Sequence, residues 1–365
     1  MRLGLNLGYR TSATDPADQL ALVREAERLG YAVAWVAEAY GSDAPTVLAW
    51  LAAGTRRIDL GAAVMQIPAR SPAATAMTAA TLDDLSGGRF RLGLGVSGPQ
   101  VSEGWHGVRF ARPLARTEEY VAIVRLALAR AEVRSPGPHY PLPLPDGPGK
   151  ALRLSLRPRR PDLPIYLAAV GPRNLELAGR IADGWLGIFV APDALADTRA
   201  ALAAGRAAGG RTGPFDLVAA VPVVPAADDD PATLARCADA VRPYAALYIG
   251  GMGSRERNFY HALAGRLGYA AAADEVQEHY LAGRHRDAAA AVPYELIDRT
   301  ALLGSTARIA AGLAAYAAAG VTTLSVNLGG GVDRETGLRT LRTVAEAHRL
   351  AGTAAPDDDA PGVDA

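Results

Sequence analysis

Short, almost continuously apolar runs alternate along this chain with longer segments in which apolar residues recur every three or four positions. The short runs predict β-strands, and the longer segments predict amphipathic helices. Around the first helical segment, Asp15 is a capping residue and Gly30 is a stop signal. The predicted strands cover residues 2–8, 32–37, 58–65, 90–96, 165–170, 184–190, 215–224 and 321–328. The clearest helices are predicted at 16–29, 44–53, 72–85, 112–131 and 334–351, with another ending at 182.

The order of these elements predicts the fold class. Strands that are apolar on both faces are typical of a parallel sheet covered by helices. Eight strand–helix units without a domain break favour a closed (β/α)8 TIM barrel over a doubly wound sheet, which is the alternative. We expect a single domain over 1–352, with a Pro-rich insertion after strand four (135–164) and a mostly helical insertion between strands seven and eight (231–294). Alternation within 151–156 predicts a small hairpin, and the acidic tail 353–365 is predicted to be disordered.

Composition excludes several classes of protein. The formal net charge is zero, so no overall field favours nucleic acid or an anionic membrane as a partner. No apolar stretch is long enough to predict a membrane span, and the first residues lack the features of a signal peptide, so we expect a cytoplasmic protein. Cys237 is the single cysteine, which excludes an internal disulfide framework and a cysteine-based zinc cluster. The histidines show no metal-ligand spacing, and we predict no metal site.

The barrel prediction by itself selects candidate site residues. Active sites of (β/α)8 barrels form at the carboxyl ends of the strands. The residues there are Asn6 and Gly8; Glu38, Ala39 and Tyr40; Met65 and Gln66; Ser97, Gly98 and Gln100; Gly171, Arg173 and Asn174; and Phe189, Pro222, Asn327, Gly329 and Gly330. We therefore expect a small-molecule site built from several of these strand ends.

Three side chains near these strand ends are candidates for proton transfer. Glu38 follows an apolar strand, where an unpaired carboxylate is costly to bury. It therefore either pairs with an arginine at the rim or hydrogen-bonds a cofactor or substrate and tunes a proton transfer. Tyr40 lies two residues further on. His106, beside Trp105 in the loop after strand four, either moves a proton near neutral pH or anchors its loop.

Two glycine-containing segments are candidate cofactor contacts. At residues 170–174 a strand end meets a helix, and Gly171 allows a close backbone approach. Free N–H groups at that helix start, with Arg173 beside them, make a natural phosphate site, although an ordinary turn has the same pattern. Gly93 and Gly95 lie inside a strand rather than in a turn, which argues against a dinucleotide fingerprint. They either let a flat ring pack against the barrel wall or allow tight helix–strand packing.

Three stretches resemble the luciferase-like monooxygenase superfamily: ATLDDLSGGRFRLGLG at 80–95, IYLAAVG with LAGRIADGW at 165–171 and 177–185, and VPYEL with LGS at 292–296 and 303–305. The resemblance implies a bacterial luciferase-like barrel with a flavin-type cofactor at its mouth. The chain is similar, within the superfamily, to the branch that uses the deazaflavin coenzyme F420, and FMN is the alternative cofactor. That similarity implies a non-prolyl cis peptide behind the ring, near residues 64–66, and a homodimer. The cofactor contacts that it implies are Val64, Met65, Gln66, Val96, Ser97, Gly98, Val170, Gly171, Pro172 and Arg173, and the strand-end rule adds Asn6 and Asn174.

The chain also departs from one part of that branch. The F420-dependent glucose-6-phosphate dehydrogenases have an Asp-His pair after strand two and use lysines for the sugar phosphate. Here that turn contains Glu38-Ala39-Tyr40, and Lys150 in the insertion is the single lysine, which argues against a sugar phosphate. The expected activity is hydride transfer between the deazaflavin C5 and a C=C, C=N or alcohol/carbonyl carbon of a small substrate. The alternatives are an FMN-dependent monooxygenase that uses reduced flavin and O2, and a flavin-binding or assembly protein without catalysis.

Overall fold

The computed structural model describes residues 1–8, 15–255 and 257–353, so the expected tail lies outside the described residues apart from Thr353. The strands are β1 Arg2–Asn6, β2 Val33–Val36, β3 Asp59–Ala62, β4 Met65–Gln66, β5 Phe90–Gly95, β6 Ile165–Ala168, β7 Gly184–Ile188, β8 Asp216–Pro225, β9 Gly253–Ser254, β10 Arg257–Asn258, β11 Leu302–Gly304 and β12 Thr323–Asn327.

The helices comprise most of the remaining described residues. They are α1 Pro16–Arg28, α2 Ala44–Gly54, α3 Pro72–Leu85, α4 Pro99–Gly104, α5 Pro113–Leu128, α6 Pro172–Ile181, α7 Leu195–Ala208, α8 Pro231–Ala246, α9 Phe259–Arg266, α10 Ala270–Leu281, α11 His285–Ala290, α12 Tyr294–Thr300, α13 Thr306–Ala318 and α14 Arg334–Leu350. Short 3-10 turns occupy Ile67–Ala69 and Pro192–Ala194, and a π-helix covers Leu247–Gly251.

The described strands close into a parallel barrel. The pairing order is β8-β12-β1-β2-β3-β5-β6-β7, and β7 pairs back to β8, so each of these eight strands has two parallel neighbours. This ring confirms the (β/α)8 prediction and excludes the doubly wound alternative. Helices cover the outside, and the buried core between helices and strands includes Leu5, Leu48, Leu60 and Leu92.

Local sequence signals set the helix starts. Asp15 accepts a hydrogen bond from the backbone N–H of Ala17 at 2.8 Å, as the capping prediction requires. Asp43 caps the next helix in the same way through Thr46, at 2.9 Å. A proline follows in the first turn of both helices, where a missing N–H costs little because that group has no partner inside the helix.

The first insertion contains no hairpin at 151–156, so that prediction is wrong. The backbone N–H of Val133 donates to the carbonyl of Leu152, and the Arg130 side chain donates to the carbonyl of Leu154. The segment is therefore tied to the residues after α5 instead of pairing with itself. The alternating segment 151–156 has no second strand to pair with, because the neighbouring prolines lack the N–H groups that a β-ladder needs.

The second insertion is mostly helical, as predicted, and it forms its own apolar cluster over one side of the barrel mouth. Buried Cys237, Val241, Ile249 and Ile297 belong to this cluster. The strand β11, which the sequence reasoning missed, pairs with the end of β8 at Val223–Pro225, beyond the barrel itself. The insertion is thus attached to the carboxyl end of the barrel, where the site lies.

Candidate functional site

A cavity of about 880 Å³ occupies the carboxyl ends of the barrel strands. Its floor includes Trp35, Leu186, Val218 and Ser325 from the barrel interior, and its outer part is lined by the loops and by the second insertion. Trp35 Nε1 and Ser325 Oγ are buried and have no hydrogen-bond partner among the described residues. Such groups in a mostly apolar cavity are typical of a small-molecule site.

The structure brings most of the predicted site residues together around this cavity. Those that line it are Asn6, Glu38, Ala39, Tyr40, Val64, Gln66, Val96, Ser97, Gly98, Gln100, Val170, Gly171, Pro172, Arg173 and Asn174. The candidates that do not line it are Gly8, Met65, His106, Phe189, Pro222, Asn327, Gly329 and Gly330.

Met65 and His106 fail to reach the cavity for different reasons. Side chains alternate between the faces of a strand, so Met65 is buried in the core while Val64 and Gln66 on either side line the cavity. The site prediction for the Met65 side chain therefore needs correction. His106 lies behind Gln66 and contacts that side chain instead of the cavity.

The wall behind the cavity is a bulge between β3 and β4. The peptide bond between Ala63 and Val64 is cis, at the place that the family resemblance implied. A Cβ atom on Gly93 would approach the carbonyl oxygen of Ala62 to 1.9 Å, and one on Gly95 would approach Val64 Cγ2 to 2.5 Å. These two glycines therefore leave room for the bulged neighbouring strand, and Gly95 also lines the cavity.

Glu38 is held at the rim by an ion pair, as one of the two sequence interpretations predicted. Both carboxylate oxygens of Glu38 accept from the same Arg70 nitrogen at 2.8 Å, and Arg70 also binds Asp43. The Glu38 side chain is 8% exposed and that of Arg70 is 17% exposed. Burial raises the pKa of Glu38, and the neighbouring Arg70 guanidinium opposes that shift. The group is thus a buried carboxylate that still borders the cavity.

Gln66 connects the rim to the loop after β5. Its Nε2 donates to the backbone carbonyl of Glu38 at 3.0 Å, and its Oε1 lies 2.9 Å from His106 Nε2. With this amide orientation, His106 Nε2 is the donor, so the proton of that nitrogen is committed to Gln66. Burial, reinforced by the charge of Arg70, lowers the pKa of His106. The geometry therefore supports the anchoring interpretation of His106.

The start of α6 forms an open corner of the cavity. Gly171 is the N-cap residue, and no side chain caps this helix. A Cβ atom on Gly171 would meet nothing within 4 Å, and its φ of −84° suits any residue. The carbonyl of the preceding Val170 accepts from Arg266 of the insertion at 3.0 Å. Because the positive end of the helix dipole opens at this corner, the corner suits an anionic group.

The sequence reasoning named no residue on one side of the cavity. Tyr248, Met252, Phe259, Tyr260 and Tyr280 line it from the second insertion, and we call this set the insertion wall. The only sequence signal was the concentration of aromatic residues between 244 and 280. Within the described part of the chain, no group of His, Cys, Asp or Glu side chains is placed to bind a metal. None of the helices described has the length and apolar character of a membrane span.

Comparisons with known proteins agree with this architecture. The sequence matches the family model of the luciferase-like monooxygenases over residues 1–323. A Mycobacterium tuberculosis protein, provisionally named a coenzyme F420-dependent oxidoreductase, is 46% identical over 337 residues, which cover 90% of this chain and 95% of that protein.

Solved structures share the fold at much lower identity. The F420-dependent tetrahydromethanopterin reductase of Methanopyrus kandleri has a TM-score of 0.78 at 22% identity, and the match covers 95% of this chain and 98% of the reductase chain. A riboflavin lyase with modified FMN and riboflavin has a TM-score of 0.77 at 15% identity, and the match covers 99% of this chain and 94% of the lyase chain. At these identities the two structures establish the fold alone, which an F420-dependent reductase and an enzyme with modified FMN therefore share.

Proposed function

Because the chain belongs to the luciferase-like monooxygenase family, we propose that it is an oxidoreductase that uses coenzyme F420 to transfer a hydride to or from a small organic substrate. The observation that carries the proposal is the mainly apolar cavity at the strand ends, which runs from the β3–β4 bulge to the uncapped start of α6. The name of the M. tuberculosis relative supports F420 over FMN.

The residues present fit such a cofactor. A volume of about 880 Å³ lies within the range of pockets that enclose a cofactor-sized molecule. Val64, Gly95 and Val96 offer an apolar surface for a flat ring, and the α6 corner offers N–H groups and Arg173 for a phosphate. The chemistry that F420 supplies when bound is hydride transfer at its C5 carbon.

The protein residues orient the reactants, exclude water and hold a proton. The apolar floor and walls keep water from the reacting atoms. Of the three candidate proton donors, Glu38 and Tyr40 line the cavity. We assign the proton-transfer role to Glu38, because its carboxylate borders the cavity although it is paired with Arg70, and because burial raises its pKa. Replacing Glu38 by glutamine should then lower turnover while leaving cofactor affinity unchanged.

A binding titration tests the cofactor assignment. F420 should bind the purified protein more tightly than FMN, and turnover should consume no O2. Tighter binding of FMN, together with O2 consumption, would contradict the proposal and favour the monooxygenase alternative.

A substitution at the α6 corner tests the phosphate site. Gly171→Asp adds a negative charge but also a good helix-capping side chain, so α6 should remain folded. We expect F420 affinity to fall by at least about fivefold, since two like charges a few ångströms apart repel by about 1–4 kcal/mol near a surface. Gly213→Asp is the matched control, because a Cβ there also meets nothing within 4 Å and the residue does not line the cavity. Equal F420 affinity in both variants would rule out this phosphate site.

A further inference from the structure

The second insertion gives the cavity one side without charge. Of the described residues that line the cavity, two carry a charge at neutral pH, Glu38 and Arg173. Glu38 is already paired with Arg70. Arg173 lies at the α6 corner, where the cofactor phosphate is proposed to bind. An anionic substrate would therefore find no unused cation among the described lining residues, and burying an unpaired charge is costly.

The rings of the insertion wall pack on one another and on a residue behind them. Tyr248 and Tyr260 meet edge to face, with ring centroids 4.9 Å apart. Phe189, at the end of β7, packs behind both rings at 5.6 and 6.1 Å. Burial raises the pKa of Tyr260 to about 12, so this phenol stays neutral at physiological pH. The wall is thus a pre-formed, uncharged aromatic surface.

Two glycines place the ring of Tyr280 in this wall. A Cβ atom on Gly250 would approach Tyr280 Cβ to 2.4 Å, and one on Gly251 would approach Tyr280 Cε1 to the same distance. Only residues without a side chain let the π-helix Leu247–Gly251 lie this close to the ring. The packing therefore fixes the ring against the backbone at the edge of the cavity.

Asn258 fixes the turn that joins the π-helix to α9. Its Nδ2 donates to the carbonyls of Tyr248 and Ile249 at 3.0 and 2.7 Å. Its Oδ1 accepts from the N–H groups of Tyr260 and His261 at 2.9 and 3.0 Å. The Asn258 side chain is buried. Its hydrogen bonds join the π-helix to the start of α9, and both of these segments contain residues of the insertion wall. The insertion wall is thus held by a complete hydrogen-bond set, which suits a binding surface.

We propose that the insertion wall is the substrate-binding surface and that it selects an uncharged, mainly apolar substrate with a flat ring or conjugated group. The proposal deepens the oxidoreductase function and rests on it for the chemistry, but not for the binding itself. Flat apolar ligands gain from contact with aromatic faces and edges, whereas a carboxylate or phosphate loses its hydration there without gaining a partner.

A pair of ligands with the same ring and different charge tests this selection. Isothermal titration calorimetry would compare 2-naphthol, which is neutral at pH 7, with the anion 2-naphthoate and with glucose 6-phosphate, using the full chain with and without F420. We expect 2-naphthol to bind at least about tenfold more tightly than either anion. Equal or tighter binding of an anion, or no binding of 2-naphthol, would overturn the proposal.

A charged substitution in the insertion wall tests whether 2-naphthol binds there. Phe259 is 38% exposed and lines the cavity, whereas Leu281 is 47% exposed and does not. Phe259→Asp should weaken 2-naphthol binding by at least about tenfold, and Leu281→Asp should leave it unchanged. An unchanged affinity in Phe259→Asp would remove the wall from the binding site.

The F420 affinity of the same proteins separates the two proposals. If F420 does not bind but 2-naphthol binding still depends on Phe259, the oxidoreductase proposal fails and the wall remains a binding surface. If F420 binds equally well to all variants but 2-naphthol does not bind, only the substrate class is wrong.

Discussion

Replacing Arg70 by methionine leaves the Glu38 carboxylate buried without its partner. Methionine keeps much of the apolar stem of the arginine but removes the guanidinium that both carboxylate oxygens contact at 2.8 Å. Breaking a buried ion pair from one side costs about 3–5 kcal/mol when the remaining group stays charged. Glu38 can avoid part of that cost by taking up a proton, so the expected loss of stability depends on pH.

The direction of this pH dependence follows from the pKa of Glu38. Burial already raises the pKa of Glu38 above its ordinary value of 4.5, and loss of Arg70 raises it further. A carboxyl whose folded pKa is raised destabilises the fold increasingly as pH rises from its unfolded pKa toward its folded pKa. Protonation limits the penalty to about 1.4 kcal/mol for each pH unit above 4.5. The pH-dependent part of the loss is therefore at most about 3.4 kcal/mol at pH 7 and about 0.7 kcal/mol at pH 5.

Urea denaturation of the wild type and of Arg70→Met at pH 5 and pH 7, followed by tryptophan fluorescence, measures this difference. The double variant Glu38→Gln/Arg70→Met is the control, since it lacks the Glu38 carboxyl, and the pH-dependent loss that Glu38 causes should be absent from it. A single-variant loss that is the same at pH 5 and pH 7 would refute the reasoning, because the carboxylate would then not be desolvated.

Two further predictions concern stability. Gly205→Ala should destabilise the fold by about 1–3 kcal/mol in urea denaturation, because the new Cβ would lie 1.9 Å from the carbonyl oxygen of Glu176 on the packed helix α6. Gly213→Ala, in open space and outside any helix cap, should change stability by less than about 0.5 kcal/mol, and equal losses in both variants would contradict the packing argument. Arg91→Met should cost about 3 kcal/mol in the same assay, since Asp216 loses one of its buried partners at the base of the barrel. A loss below about 1 kcal/mol would show that this network contributes little.

The sequence was sufficient for the barrel because each strand carries its own signal. A strand such as Phe90–Gly95 is buried on both faces, and a mostly apolar run of this kind is typical of a covered parallel sheet. The rule that sites form at strand ends then selected Asn6, Gln66 and Gly171 without any knowledge of contacts. The sequence missed β11 because three residues give no periodicity, and that strand depends on its pairing with β8.

Which residues face one another across the cavity is decided only when the strands close into the barrel. Glu38 and Arg70 lie 32 positions apart, and the sequence predicted a partner for Glu38 without identifying it. Met65 and Gln66 are equivalent candidates in the sequence. Because side chains alternate between the faces of a strand, Met65 lies in the core and Gln66 lines the cavity. The residues of the insertion wall could not be identified from the sequence, since Tyr280 reaches the cavity by packing on Gly250 and Gly251. Local patterns determine which elements form because propensity and burial act within each segment, whereas the partners of a side chain are set by the geometry of the assembled elements.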